Sequence, residues 1–332
     1  MARNKIFSII LFIASIIAFF FGAELILRSK GYRLKLVDTS RESIVYNFDS
    51  VLGWKNKPGI YTKWRVDNVK VTIFPDASRA THIPQQEKAG KIITVGCSYT
   101  LGWAVSDNET FAWRLQENFP SLQVLNYGTG AYGTYQSLLL LEKIFSDQPP
   151  PLVALYGFCD FHEIRNVATS SWLRGLWQSS KRGRVAVPYC SIDENFNLIR
   201  HAPEPYPKWP LVESLALLDY LQVKYLLTKD KLTKLPQKEL VTRKILLEMD
   251  NLCRVKNSRF IVVLLQCEKS KRESYLDFFK KEGIEYIDCS DISIAKLKGD
   301  WHPDAATNSR WVNRISKYLN GSFIRAKQFE WR

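Results

Sequence analysis

Histidine is scarce in this sequence. Of 332 residues only four are histidine, at positions 82, 162, 201 and 302. That scatter is poor material for the tight ligand cluster of a metal-dependent hydrolase, so no metal site and no cofactor are expected. The six cysteines (Cys97, Cys159, Cys190, Cys253, Cys267, Cys289) contain no C-x-x-C pair and fix neither a zinc site nor a redox compartment. Zinc-finger spacing and an aromatic RNA-binding signature are both missing, which leaves the net charge of +14 without a nucleic-acid reading. The cations are spread along the chain, densest between Lys224 and Lys256 where they mix with Leu, Glu and Asp. A solvated basic face, or attraction to anionic lipid or an acidic glycan, accounts for them. There is no internal repeat and no low-complexity tract.

What is present is a composition of 46% hydrophobic and 24% charged residues, which suits one large globular domain with attachments. The first attachment is residues 1–28. Within it "IFSIILFIASIIAFFFGAELIL", Ile6 to Leu27, is apolar except for Glu24 and long enough to cross a bilayer. No small-x-small cleavage site follows it, so the expectation is an uncleaved single-pass anchor. Flanking cations (Arg28, Lys30, Arg33 and Lys35 after the span; Arg3, Lys5 and the terminal amine before it) lean towards a cytoplasmic main domain.

Past the anchor, β-type runs at 91–96, 122–128, 152–157, 259–266 and 284–290 alternate with helical patterns near 109–118, 134–146, 237–255, 270–282 and 305–319. Continuous apolar strands separated by helices predict an α/β fold of three layers around a parallel sheet. Residues 29–88 read as a linker and N-terminal extension, and 89–325 as the main domain. The stretch near 165–210, rich in Trp, Arg, Ser and Pro, breaks the rhythm and reads as an insertion or lid.

In open parallel sheets reactive groups gather at the carboxyl ends of strands. The first run ends in "KIITVGCSYTLGW", which places Cys97 and Ser98 there between Gly96 and Gly102. On this signal alone Ser98 is a turn residue, a helix cap or a nucleophile, and Cys97 competes with it. Three further blocks follow in order: "NYGTGAYGT" (126–134), "LYGFCDFHE" (155–163) and "DWHPDAAT" (300–307).

Together with "GCSYTLGWAVSDNETF" these blocks resemble the SGNH/GDSL hydrolases over about residues 70–320, most closely bacterial members with an N-terminal membrane anchor. The resemblance implies a flavodoxin-like three-layer domain in which Ser98 is the nucleophile, His302 the base and Asp300 its orienting acid, with Cys97 a packing residue. Family members carry that acid three residues before the histidine; here that position is Gly299 and the acid stands two before. The implied oxyanion donors are the backbone amides of Ser98 and of Ala131, with Gly130 as the neighbouring alternative, and an Asn whose place is taken by Cys159, a weak donor. His162 and Asn166 are candidates to substitute for it, although each reads first as an ordinary loop residue.

The expected function is a membrane-anchored serine esterase acting through an acyl-enzyme on acyl or acetyl esters of an envelope glycan or lipid. The resemblance places its main domain outside the cytoplasm (periplasmic), against the charge count. The alternatives are an O-acyltransferase on a polysaccharide and a non-catalytic accessory protein on the same fold.

Overall fold

The computed structural model describes residues 2–34, 45–63, 67–81, 90–179, 185–295 and 300–329. Gly299 therefore lies outside the described residues, as do parts of the 29–88 segment. In chain order the elements are helix α1 (Ala2–Ser29), strands β1 (Tyr46–Asp49), β2 (Gly53–Asn56), β3 (Gly59–Lys63), β4 (Asp67–Ile73) and β5 (Lys91–Gly96), then helices α2 (Ser98–Leu101) and α3 (Phe111–Asn118). Next come β6 (Gln123–Asn126), α4 (Thr134–Asp147), β7 (Val153–Cys159), α5 (His162–Asn166), α6 (Ser170–Ser179), β8 (Ala186–Ile192) and β9 (Leu198–Pro205). The chain continues with α7 (Ala216–Thr233), α8 (Lys238–Val255), β10 (Arg259–Gln266), α9 (Lys269–Glu282), β11 (Glu285–Asp288) and α10 (Ala305–Phe329).

Two compact units share this chain: Met1–Arg41 with Thr169–Val185 and Pro205–Pro236, and Glu42–Ala168 with Ala186–Glu204 and Gln237–Arg332. The larger unit holds a five-stranded parallel sheet in the order β11-β10-β7-β5-β6. Numbered within the sheet, that is the doubly wound 2-1-3-4-5 order, whose direction of winding reverses between β5 and β7. A crevice at the carboxyl end of those two strands is the place such folds offer to ligands.

Strand alternation builds the layers. In β10, Phe260, Val262 and Leu264 face one core with side chains of α4, α8 and α9. Ile261, Val263 and Leu265 face a second core with side chains of α3 and α10. Each fully buried aliphatic or aromatic side chain here contributes about 1.5–3 kcal/mol relative to exposure. The result is the expected three-layer α/β fold.

Two antiparallel hairpins, β1 with β2 and β3 with β4, precede the sheet where a linker and extension were expected. The stretch near 165–210 is not one element: β8 and β9 belong to the larger unit, and α6 belongs to the smaller one with α1 and α7. α1 carries the expected apolar run; the most apolar 18 residues within Lys5–Ser29 have mean hydropathy 2.7, and none of them is buried.

Candidate active site

β5 runs into Gly96, whose φ of +149° only glycine adopts without strain. A Cβ there would meet Thr100 Oγ1 at 2.3 Å and the Gly157 carbonyl at 2.9 Å, and one on Gly157 would meet Thr100 Oγ1 at 2.1 Å. Two glycines paired across β5 and β7 thus make the slot into which Thr100 seats the short helix α2. Cys97 caps α2 and Ser98 is its first residue.

The structure brings Ser98, His302 and Asp300 together. Ser98 Oγ lies 3.0 Å from His302 Nε2. His302 Nδ1 lies 2.5 Å from Asp300 Oδ1, which also accepts the His302 backbone N–H at 2.7 Å. One carboxylate oxygen therefore fixes both the ring and the main chain of the histidine, and the two-residue spacing does not prevent the contact. Tyr99 and Trp103 wall the imidazole at ring distances of 5.9 and 5.8 Å. The Tyr99 hydroxyl donates to the Trp301 carbonyl at 3.4 Å. Behind His302, Asp304 caps α10 by accepting the Thr307 N–H at 2.8 Å, and Asn308 Oδ1 accepts the Phe111 N–H at 3.1 Å, tying α10 to α3.

Sequence reasoning missed two braces of this site. Arg79 is 0% exposed and aims its guanidinium at the turn leaving α2. It donates to Asp107 Oδ1 at 3.0 Å and to the carbonyls of Leu101, Gly102 and Val105 at 2.8, 2.5 and 2.7 Å. Asn126, at the end of β6, donates to the Thr100 carbonyl at 3.1 Å and accepts the Gly128 N–H at 2.9 Å. It therefore joins α2 to the glycine loop. An Asn at a strand end beside a glycine loop was a readable signal; nothing in the sequence around Arg79 was.

The glycine loop lies against α2, since a Cβ on Gly128 would come within 2.3 Å of the Leu101 nitrogen. Ala131 has φ +69°, a left-handed conformation that costs a non-glycine residue on the order of 1 kcal/mol. The loop holds it there: the Gly130 carbonyl accepts Trp54 Nε1 at 3.0 Å, and the Tyr132 hydroxyl donates to the Trp54 carbonyl.

Cys159 differs from a side chain offered to a substrate. It is 0% exposed and belongs to the core on the α3 and α10 side, together with Cys97. Sulfurs of Cys97 and Cys159 and a ring nitrogen of His162 lie within 4.8 Å of one another. Burial pushes the Cys159 thiol well above its ordinary value, helped by the Cys97 sulfur. Burial also opposes a Cys97 thiolate, but the Cys159 thiol, His162 and the guanidinium of Arg165 outweigh it and pull Cys97 well below its ordinary value. No basic residue adjoins Cys97 in sequence; α5 supplies these in space. Among the described residues this is the one cluster of three side chains of metal-ligating type, against the four ligands of a closed zinc site.

His162 and Asn166 are structural. His162 is buried, held below its ordinary pKa first by that burial, and its Nδ1 meets the Tyr156 hydroxyl at 2.7 Å and the Cys159 N–H at 3.4 Å. Asn166 accepts from the Tyr135 N–H at 3.1 Å and donates to Thr134 and Thr242 hydroxyls at 2.9 and 2.8 Å, which occupies its amide. His201 lies in the β8–β9 hairpin, stacked on Tyr189.

By its sheet order and the succession of its blocks, the chain has the α/β/α fold of the SGNH, or GDSL, hydrolases. No family model matches the chain. No curated protein matches it either. Among solved structures it is similar to a member of the lipolytic protein G-D-S-L family from Veillonella parvula, at 12% identity and TM-score 0.40 over 68% of this chain and 96% of that one. It is also similar to TesA, at 10% identity and TM-score 0.39 over 69% and 97%. A third is the psychrotrophic esterase EstA from Pseudoalteromonas, at 11% identity and TM-score 0.37 over 70% and 99%.

Proposed function

We propose that the chain is a membrane-anchored serine esterase, with Ser98 as nucleophile, His302 as general base and acid, and Asp300 as the group that orients the imidazole. The observation that carries this reading is the chain of contacts from Ser98 Oγ to His302 Nε2 at 3.0 Å and from His302 Nδ1 to Asp300 at 2.5 Å. With Nδ1–H donated to the carboxylate, Nε2 is the acceptor that takes the serine proton as Oγ attacks an ester carbonyl. The imidazolium then protonates the leaving alcohol, and water retraces the path to release the acid. The backbone N–H groups of Ser98 and Ala131, with Gly130 beside it, are the proposed oxyanion donors. Cys159, buried with Cys97, supplies at most a weak one.

Acylated or acetylated glycan or lipid of the cell envelope is the proposed substrate class, with α1 as the anchor and the main domain outside the cytoplasm. Support comes from the apolar run of α1 and from the resemblance to anchored members of the family. An O-acyltransferase would use the same acyl-enzyme with a sugar hydroxyl in place of water. Labelling by a fluorophosphonate probe, lost in Ser98→Ala, together with hydrolysis of aryl acetates, tests the esterase. No labelling and no turnover in the intact chain would leave an accessory protein as the better account. Protease accessibility in oriented vesicles tests the side of the membrane.

A further inference from the structure

Helix α7 is built inside out. Its buried positions are Ala216, Asp219, Gln222, Leu226 and Asp230, at helical spacing, and three of these five are polar. The opposite stripe carries Leu221, Tyr225 and Leu232, exposed by 40, 54 and 76%. In water the reverse arrangement is the stable one.

The buried polar groups are all engaged within the smaller unit. Asp219 accepts the Tyr32 hydroxyl at 2.7 Å and Arg174 Nη2 at 2.9 and 2.7 Å. Asp230 accepts the Ser170 N–H at 2.5 Å and its hydroxyl at 3.1 Å. Gln222 accepts the Trp209 N–H at 3.2 Å and donates to the Pro207 carbonyl. The inverted pattern is thus a finished polar seam on one side and, on the other, an exposed apolar face that no described helix or strand covers.

The start of that helix is fixed by α1. Glu24, the one acid in the apolar run, accepts the N–H groups of Ala216 and Leu217 at 2.9 and 2.7 Å, capping the N-terminus of α7. Arg28 pairs with Glu24 at 2.6 Å and donates to the Ser214 carbonyl at 2.9 Å. An acid inside a membrane helix is costly unless paired, and here the helix cap and the arginine satisfy it. The clasp holds residues 214–217 against the last turns of α1. Directly beside them Leu211 and Leu215 are 64 and 38% exposed and Trp209 is 37% exposed. Exposed Trp and Tyr with leucines, and lysines such as Lys208 and Lys224, whose ammonium groups lie 4.9 and 5.6 Å from the ring centres of Trp177 and Tyr220, are the composition of a bilayer boundary.

We propose that the segment Trp209–Tyr225 is seated in the interfacial layer of the bilayer that α1 crosses, so that the anchor is a span with a second, in-plane foot. This rests on the proposed membrane span. A second protein chain is the alternative occupant, but it would have to reach the exposed leucines at the level where the span itself meets lipid.

The test uses the full chain with Cys267→Ser, reconstituted in vesicles of phosphatidylcholine with phosphatidylglycerol. Spin labels go in singly at Leu211→Cys, Leu215→Cys and Tyr225→Cys, with Ile17→Cys as the span reference and Asp277→Cys, on the exposed surface of α9, as the water reference. The expected result is an oxygen-to-nickel accessibility ratio at 211, 215 and 225 several-fold above that at 277 and below that at 17. Ratios equal to that at 277 while position 17 reads lipid overturn the foot and leave the span. Low accessibility to both reagents means that protein covers the face, which also overturns it. If position 17 itself reads water, the span fails and the foot fails with it, an outcome distinct from the other two.

Discussion

Replacing Arg79 by Met keeps much of the stem and removes every donor, which makes it the sharpest test of how the Ser98 turn is held. The guanidinium is 0% exposed and its partner Asp107 is 10% exposed at the side chain. Without it the Asp107 carboxylate keeps, among the described residues, only the Thr72 N–H at 3.0 Å; the Val105 carbonyl loses its donor, while the Leu101 carbonyl falls back on Asn126 Nδ2 at 3.4 Å and the Gly102 carbonyl on the Val105 N–H at 3.2 Å. Stranding one member of a buried pair costs about 3–5 kcal/mol, and an unsatisfied buried carbonyl about 1–3 kcal/mol. The contributions overlap, because a loosened turn can admit water, so the loss is about 4 kcal/mol in total. At about 2–4 °C per kcal/mol for a unit of this size, Tm for the larger unit should fall by roughly 8–16 °C in detergent. Arg79→Lys keeps the charge near Asp107 but not the planar fork, and should recover less than half of that. A fall below about 4 °C for Arg79→Met would show that the carbonyls do not depend on Arg79.

Three further substitutions bear on the site and its setting. Cys97→Ser should retain most aryl-acetate hydrolysis and Ser98→Ala none; the reverse pattern moves the nucleophile to the thiol. Cys159→Asn should lower Tm without raising turnover, because it buries an amide among apolar side chains at about 1–3 kcal/mol; a gain in kcat at constant KM would mean that position 159 does face the oxyanion. Glu163, 1% exposed, accepts from Lys238, Lys271 and the Tyr275 hydroxyl. Burial raises its pKa, yet these partners bring it below the ordinary carboxylate value. A depressed folded-state pKa gives stability that is present above the unfolded value and lost as pH falls through the folded one. Glu163→Gln should therefore destabilise at neutral pH and flatten the acid side of the stability profile, measured by Tm against pH; an unchanged acid limb would refute the linkage.

The sheet was legible because its strands are buried on both faces and read as unbroken apolar runs. β5 and β10 occupy the residues expected of them, 91–96 and 259–266. β6 stops at Asn126, two residues early, because that side chain turns to the Thr100 carbonyl and the Gly128 N–H. β7 runs on to Cys159 because Gln266 of β10 still pairs with it. The N-terminal hairpins escaped notice since four-residue strands such as Tyr46–Asp49 leave no periodic signal. α7 escaped for a stronger reason. A reading that sends apolar residues inwards places Leu221 and Tyr225 in a core and Asp219 and Asp230 in water, the reverse of where they lie.

The site was legible in its residues but not in the contacts that separate two neighbouring candidates. Cys97 is the better intrinsic nucleophile, and the structure adds what the sequence could not show: the Cys159 thiol, His162 and Arg165 draw its thiol down. That is the environment of a reactive cysteine, and by electrostatics alone Cys97 would be preferred. Access decides against it. Adjacent residues at a strand end point to different sides, so Cys97 enters the core shared by Phe111, Leu115 and Trp311 with no exposed surface. Ser98 keeps 7% exposure and a histidine nitrogen at 3.0 Å. A thiolate that no carbonyl can approach performs no acyl transfer, whatever its pKa, whereas a serine needs no lowered pKa when the base that takes its proton is already in place. The hydroxyl next to Cys97 is therefore the proposed nucleophile.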